Sequence, residues 1–157
     1  MSFHSAINQS RARQRGFSLV EVLIALVIMS VGMLGIAGLY VQSLQAGRTS
    51  MLRHNAVTLA GDVADRIRAN PRAGVVYQDS DGVNRNCVDN GTDCDASEMA
   101  DHDVFLWKAQ AGTTLPGGDV TITFDDTVFP NEYTINVNWT EPEGPLAYEI
   151  KIPVLGI

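Results

Sequence analysis

One acidic residue, Glu21, lies alone in a long apolar stretch near the start of the chain. From Phe17 to Val41 there are 25 residues, and Glu21 is the only charged one. A helix of about 20 residues crosses a hydrocarbon core of roughly 30 Å, so this stretch is long enough to span a membrane. A carboxylate there costs up to about 2.5–3.5 kcal/mol at the bilayer centre and less near the interface. Glu21 is therefore either an interfacial side chain that reaches water or a residue whose charge has a function.

The two cysteines of the chain, Cys87 and Cys94, are a second candidate for chemistry. Outside the cytoplasm, two thiols separated by six residues indicate a disulfide that closes a small loop. A zinc site normally needs four ligands, and the spacing of His4, His54 and His102 does not connect them with this pair. The sequence therefore predicts a disulfide and no metal site.

Other patterns that could carry chemistry are weak or missing. The run from Asp79 to Gly82 resembles part of a calcium loop, but its glycine is fourth, and an EF-hand has glycine at the sixth position. We interpret this run as part of a solvated loop. The sequence has no phosphate-binding glycine loop, no G-x-S-x-G and no H-E-x-x-H. We therefore expect no enzymatic activity and no cofactor.

Charge is distributed unevenly along the chain, whose net charge is −7. Residues 1–16 hold three arginines and no acid, whereas residues 74–157 hold three basic residues against 15 acids, a local charge of −12. Because positive residues next to a membrane span stay in the cytoplasm, the first 16 residues are predicted to be cytoplasmic and the later part exported. The acidity of the exported part argues against nucleic-acid binding, which needs a basic surface.

The helical pattern continues beyond the apolar stretch. Large apolar residues recur at helical spacing up to Asn70-Pro71, where proline disfavours helix. The helix is therefore predicted from about Phe17 to Ala69. The chain is predicted to consist of a basic leader (1–16), a transmembrane helix (17–41), an amphipathic continuation (42–70) and a globular head (71–157). The apolar stripe of the continuation comprises Leu44, Met51, Leu52, Leu59, Val63 and Ile67.

The head is predicted to combine a loop, a short helix and a sheet. Residues 71–100 have the composition of an acidic loop, and a helix is predicted from about Ser97 to Ala111, capped by Ser97 or Asp101. The turn Leu115-Pro116-Gly117-Gly118 follows. Three alternating segments around Ile122, Ile135 and Ile150 then predict an antiparallel meander. Covered by the helix stripe from Leu44 to Ile67, this sheet gives an α+β fold with a long N-terminal helix.

The start of the chain resembles a known processing signal. Residues 15–25, R-G-F-S-L-V-E-V-L-I-A, are similar to the class III signal of type IV pilins. The resemblance implies cleavage between Gly16 and Phe17 by a prepilin peptidase and N-methylation of Phe17. It also implies that Glu21 pairs with the amino terminus of a neighbouring subunit in a filament. Two opposite charges neutralise each other there, whereas either one alone is strongly disfavoured.

A second resemblance points to one branch of that family. Residues 64–71, A-D-R-I-R-A-N-P, are similar to the A-D-R-M-R-A-N-P run of PilV-type minor pilins, as are the L-P-G-G turn and the Y-T-I-x-V-x-W strand. It implies a minor pilin that assembles with other major and minor pilins through an inner-membrane platform, with roles in twitching motility and adhesion. The protein would move from the inner membrane to a surface pilus. Unlike many major pilins, this helix has no proline before Pro71.

Two alternatives remain open at this level. The N-terminal signal is shared with the minor pseudopilins of type II secretion systems, and only the later motifs favour the pilus. A membrane-tethered periplasmic binding module would keep an intact N-terminus. A cleavable secretory signal is disfavoured because its apolar region runs about 7–15 residues, which is shorter than the stretch seen here.

Overall fold

The computed structural model describes residues 16–88 and 93–154. The chain divides into two compact units, Met1–Leu44 and Gln45–Ile157, and each is described by itself. The elements in chain order are helix α1 (Leu19–Ala69), a 3₁₀ turn (Pro71–Ala73), helix α2 (Val76–Asp79), helix α3 (Ala96–Thr114), and strands β1 (Asp119–Asp125), β2 (Glu132–Glu141) and β3 (Gly144–Pro153). This is the α+β fold that the sequence predicts.

The first unit consists, among its described residues, of the first part of α1 and the residues before it. The helix begins at Leu19, two residues later than predicted, and the Ser18 hydroxyl accepts a hydrogen bond from the Val20 N–H at 3.4 Å. Every described side chain up to Leu44 is exposed, although most are apolar. This part of α1 is apolar and long enough to cross a membrane.

In the second unit, α1 packs through two rows of side chains and ends at Ala69 as predicted. Residues four apart lie on one helix face, which explains the two rows. The predicted stripe is wrong at its start, because Leu44 and Met51 are 73% and 65% exposed. No described residue before Thr49 is covered, and alanines supply half of the buried face because small side chains let neighbouring elements approach closely. The buried residues are Ala56, Ala60 and Ala64 in one row and Leu59, Val63 and Ile67 in the other.

The three strands form one antiparallel sheet in the order β1-β2-β3, with Ile122, Ile135 and Ile150 in register. This confirms the predicted meander. Alternate side chains of β1 and β2 are buried as the two-residue period requires. On β3 only Ile152 is buried, whereas Leu146, Tyr148 and Ile150 are half-buried, so the predicted cover of the sheet is incomplete on this strand. The reason is that α2 and α3 contact β1, at the opposite edge of the sheet, whereas no helix contacts β3 to a comparable extent.

Helix α3 is longer than predicted and is capped differently. Asp95 is its N-cap: the Asp95 carboxylate accepts the Glu98 N–H at 2.8 Å, and the Glu98 carboxylate accepts the Asp95 N–H at 3.1 Å. This capping box replaces the predicted caps at Ser97 and Asp101, which both lie inside the helix. The preceding segment, predicted as a loop, also contains the 3₁₀ turn and α2.

The turn that ends α3 needs its glycines. Gly117 has a φ of +61°, a conformation that other residues rarely adopt, and a Cβ on Gly118 would overlap the Ala111 carbonyl. The Leu115 N–H donates to that same carbonyl at 2.9 Å, and the Leu115 side chain is buried. The L-P-G-G sequence therefore stops the helix and turns the chain directly into β1.

Candidate assembly sites

The first candidate site is the start of α1. Phe17 is 84% exposed and precedes the helix, while Glu21 lies in the first helical turn, where a negative charge is favoured by the helix dipole. Phe17, Glu21, Ala25 and Met29 follow one another at intervals of four residues and border a shallow depression of the helix surface. The structure therefore presents the acid on an apolar helix face that no described residue covers. The predicted roles of Gly16, Phe17 and Glu21 remain predictions.

The second site is the disulfide loop. Cys87 and Cys94 form a disulfide, as the sequence predicts. The segment before it is attached to α3 through Asp101, whose carboxylate accepts hydrogen bonds from Arg85 Nη2 and from the Ser80 hydroxyl, both at 2.8 Å. The Arg85 hydrogen bond, aided by that of Ser80, lowers the pKa of Asp101 below its usual range. Asp101 therefore helps to hold this segment on the helix, together with Lys108, whose Nζ donates to the Asp81 carbonyl at 3.3 Å.

The run that resembles a calcium loop makes other contacts. The Ser80 hydroxyl donates to Asp101 and accepts the Gly82 N–H at 3.1 Å. The Gly82 backbone lies so close to the backbone of Phe105 that a Cβ at this position would collide with it. Among residues 16–88 and 93–154, no group of three or more histidine, cysteine or acidic side chains is arranged to hold a metal ion.

A partly buried polar network joins α1 to α3. Arg66 Nη1 donates to the Asp103 carboxylate at 2.8 Å, and Arg66 Nε lies 3.3 Å from the Asp62 carboxylate. Trp107 Nε1 also donates to Asp62, at 3.1 Å, and the Tyr77 hydroxyl lies 3.5 Å from Asp103. Burial raises the pKa of Asp103, against the lowering effect of Arg66, and burial raises the pKa of Tyr77 to about 12. Asp103 is thus a buried acid that depends on Arg66 for its stabilisation.

This network gives part of the A-D-R-I-R-A-N-P run a structural role, because two of its residues bind α3. Asn70 Nδ2 donates to the Ala96 carbonyl at 2.8 Å, which ties the end of α1 to the start of α3. Arg66 is partly exposed but binds Asp103 across the helix pair. Asp65 and Arg68 pair at the surface, 3.1 Å apart. The spacing of four between Asp62 and Arg66 was the available signal, but their partner on α3 could not be identified from sequence.

Sequence reasoning missed Glu141, at the end of β2. This residue is only 6% exposed, and its carboxylate accepts hydrogen bonds from Trp139 Nε1 at 2.9 Å and from the Thr49 hydroxyl at 2.8 Å. The hydrogen bond from Trp139, followed by that from Thr49, lowers the pKa of Glu141. Glu141 therefore links the end of β2 to Thr49, which is the first residue of α1 that is partly buried.

Comparison with known protein families gives two matches. A family model described as the prokaryotic N-terminal methylation motif matches residues 11–37, and a model described as type IV pilin Tt1218 matches residues 38–105. The second match includes the disulfide loop and the Arg66–Asp103 network, and it ends before the sheet. No curated protein and no solved structure shows significant similarity to the chain.

Proposed function

Because the chain belongs to the type IV pilin family, we propose that it is a minor pilin of the type IV pilus. Pilins are structural subunits that assemble with other pilins and associate with a membrane. The observation that carries the proposal is the exposed apolar helix from Leu19 to Leu44, with Glu21 as its one charge. Such a surface needs either lipid or the helices of neighbouring subunits to cover it.

Processing is the first part of the proposal. A prepilin peptidase cleaves between Gly16 and Phe17, and Phe17 becomes the methylated N-terminus. This is supported by the match to the methylation motif and by the position of both residues ahead of the first helical turn. The peptide bond between these residues lies outside the helix and is open to an enzyme, whereas a peptide bond inside a helix is hydrogen-bonded and less accessible.

Filament entry is the second part. The new amino group of one subunit pairs with Glu21 of a neighbour. The pairing fixes the axial register, because a displaced subunit would leave two charges unpaired in an apolar filament core. The three arginines before the cleavage site keep the leader in the cytoplasm, so the head reaches the periplasm and later the cell surface. The assembly platform of the inner membrane is the expected partner of this transfer.

The choice of a PilV-type minor pilin rests on residues 64–71. In the structure, Arg66 and Asn70 of this run join α1 to α3, so the run has a definite structural role in the head. We propose that the head serves pilus priming, and through it twitching motility and adhesion. The alternative, a minor pseudopilin of a type II secretion system, shares the N-terminal signal.

Mass spectrometry of the native protein tests the proposal most directly. The expected mature chain begins at methylated Phe17, and a chain that keeps residues 1–16 would show that it is not a filament subunit. Deletion of the gene then distinguishes a role in the type IV pilus from a role in type II secretion. Loss of twitching with normal enzyme secretion supports the pilus, while loss of secretion alone would reject it in favour of the pseudopilin.

A further inference from the structure

The outer edge of β3 presents backbone groups that are ready to pair with another strand. The Val154 N–H donates to the Asn131 carbonyl at 2.7 Å, so even-numbered residues at this end direct their N–H groups toward β2. The Thr140 N–H donates instead to the Pro116 carbonyl, on the β1 side, which fixes the same alternation on β2. With the register of β2 and β3, this directs the N–H groups of Ala147, Glu149 and Lys151 to the free edge.

The two edges of the sheet differ. At β1 the outward Phe124 N–H donates to the side chain of Gln78 on α2, and both α2 and α3 contact this strand. At β3 the side chains of Ala147, Glu149 and Lys151 are exposed, and no described element pairs with the strand on that side. The β1 edge is therefore covered within the head, and the β3 edge is left open.

An apolar strip accompanies the open edge. The inward side chains Leu146, Tyr148 and Ile150 are only half-buried, although their neighbours on β2 are almost fully buried. Beside them lies a groove of about 390 Å³ lined by Arg53 and Val57 of α1 and by Trp139, Leu146, Ala147 and Tyr148 of the sheet. A further strand at this edge would complete the cover of the strip and place its own inward side chains against α1.

We propose that an extended segment from the head of a different pilin adds to β3 as a fourth strand. This inference rests on the proposed function, because assembly with other pilins brings heads together. The charges and the apolar strip define the segment: a basic residue beside Glu149, apolar residues beside Tyr148 and Ile150, and an acid at the end that faces Arg53. Pro145 and Pro153 border the open edge and restrict pairing to the residues between them.

A second copy of this chain does not fit the edge. Antiparallel pairing of two β3 strands in one continuous sheet would reverse the direction of the head portion of α1 in the second copy, whereas the heads of subunits in one filament point the same way. A copy in the same orientation would have to offer its β1 edge, which α2 covers through Gln78. The partner is therefore another pilin with a free extended segment.

Photo-crosslinking in assembled fibres tests this inference. A photoreactive amino acid replaces Ala147 in the full-length chain, and the same substitution at Thr121, an exposed residue of β1, serves as the control. We expect an adduct from position 147 that mass spectrometry maps to an extended segment of another pilin, and none of that kind from position 121. An adduct that maps to a helix, or no adduct in fibres that contain the chain, overturns the proposal.

Two substitutions sharpen the test. Glu149→Pro removes an outward N–H without touching the bonds to β2, and Glu149→Ala removes the same charge while keeping the N–H. The adduct is expected to fall about tenfold in Glu149→Pro and to persist in Glu149→Ala. An unchanged yield in Glu149→Pro contradicts strand addition. If Glu149→Pro fails to fold, Glu149→Lys keeps the backbone intact and is expected to lower the yield roughly twofold to fivefold.

The mature N-terminus is measured in the same fibres. A chain that is absent from fibres, or unprocessed, contradicts the proposed function itself. A processed chain that is present in fibres but gives no adduct at β3 contradicts only the strand-addition proposal.

Discussion

The two halves of helix α1 differ in whether other described residues of the chain cover their side chains. From Leu19 to Arg48 every residue is exposed, whereas from Thr49 to Ala69 six residues are buried against the head. Both halves contain many apolar residues. The difference is that the second half meets a sheet and a helix of its own chain, while nothing in the described chain covers the first half.

This contrast shows that one continuous helix serves two kinds of hydrophobic burial. Covering a large apolar side chain contributes about 1.5–3 kcal/mol, and folding of the single chain leaves the apolar side chains of the first half uncovered. Contact with lipid or with the helices of neighbouring pilins would therefore be strongly favourable. Removal of Glu21 from the first half is therefore expected to affect assembly, and substitutions at buried positions of the second half are expected to affect the stability of the head.

The largest effect is expected for Glu21→Ala. If Glu21 pairs with the amino terminus of a neighbour, its removal leaves that charge unpaired, and incorporation into fibres should fall by about tenfold or more. Membrane insertion and the Tm of the head should not change. Immunoblotting of sheared fibres measures incorporation, and immunoblotting of membranes measures insertion.

Ser30→Ala is the matched control for Glu21. The Ser30 hydroxyl is already hydrogen-bonded at 2.9 Å to the Leu26 and Val27 carbonyls of its own helix, so its removal should leave incorporation normal. Normal incorporation of Glu21→Ala would contradict the charge-pairing role.

Leucine truncation compares the two halves with identical chemistry. Leu59 is 1% exposed, and Leu59→Ala should destabilise the head by about 2–5 kcal/mol because it removes buried contacts and leaves a cavity. Leu39 is 67% exposed, and Leu39→Ala should leave the unfolding of the head unchanged. Thermal unfolding of the full-length protein in detergent measures both, and equal shifts in Tm would refute the contrast.

Two arginines near the end of α1 test the polar network. Arg66→Ala leaves Asp103, whose side chain is only 5% exposed, without its ionic partner, so a loss of about 1–3 kcal/mol is expected. Arg68→Ala breaks only the exposed pair with Asp65 and should cost less than about 0.5 kcal/mol. Urea unfolding distinguishes these values, and a loss for Arg68→Ala as large as for Arg66→Ala would contradict the assignment.

The smallest effect is expected from acidification, which changes the stability of the head. A carboxyl whose pKa is lowered by folding adds stability above its unfolded pKa and loses it as the pH falls through the folded value. Asp101 and Glu141 both behave in this way, so the head should lose stability between about pH 5 and pH 3. Burial raises the pKa of Asp103, which has the opposite sign and makes the loss smaller.

Asp101→Asn measures one part of that dependence. The variant cannot gain a proton in the acid range, so its Tm should fall less with acidification than that of the wild type, by a few degrees at most. Parallel Tm profiles of the two proteins between pH 7 and pH 3 would contradict the role of Asp101 as a charged residue that helps to hold the loop.

The sequence predicts the elements whose signals are local. The end of α1 at Ala69, the three-stranded meander and the disulfide between Cys87 and Cys94 are all confirmed. Each follows from a short-range cause: proline stops a helix, alternation marks a strand, and two nearby thiols in a region predicted to be exported are expected to oxidise. The Asp95–Glu98 capping box has an equally local signal, an acid followed three residues later by glutamate.

Only the tertiary structure decides which residues meet across the fold. Arg66 reaches Asp103, Thr49 reaches Glu141, and β3 is left half-covered, and each result depends on how α1 lies on elements distant in sequence. Periodicity specifies which face of an element is apolar, but it does not specify what covers that face or where the cover ends. For that reason the sequence determined the apolar helix with its single acid, and the folded head decided which part of that helix its own chain covers.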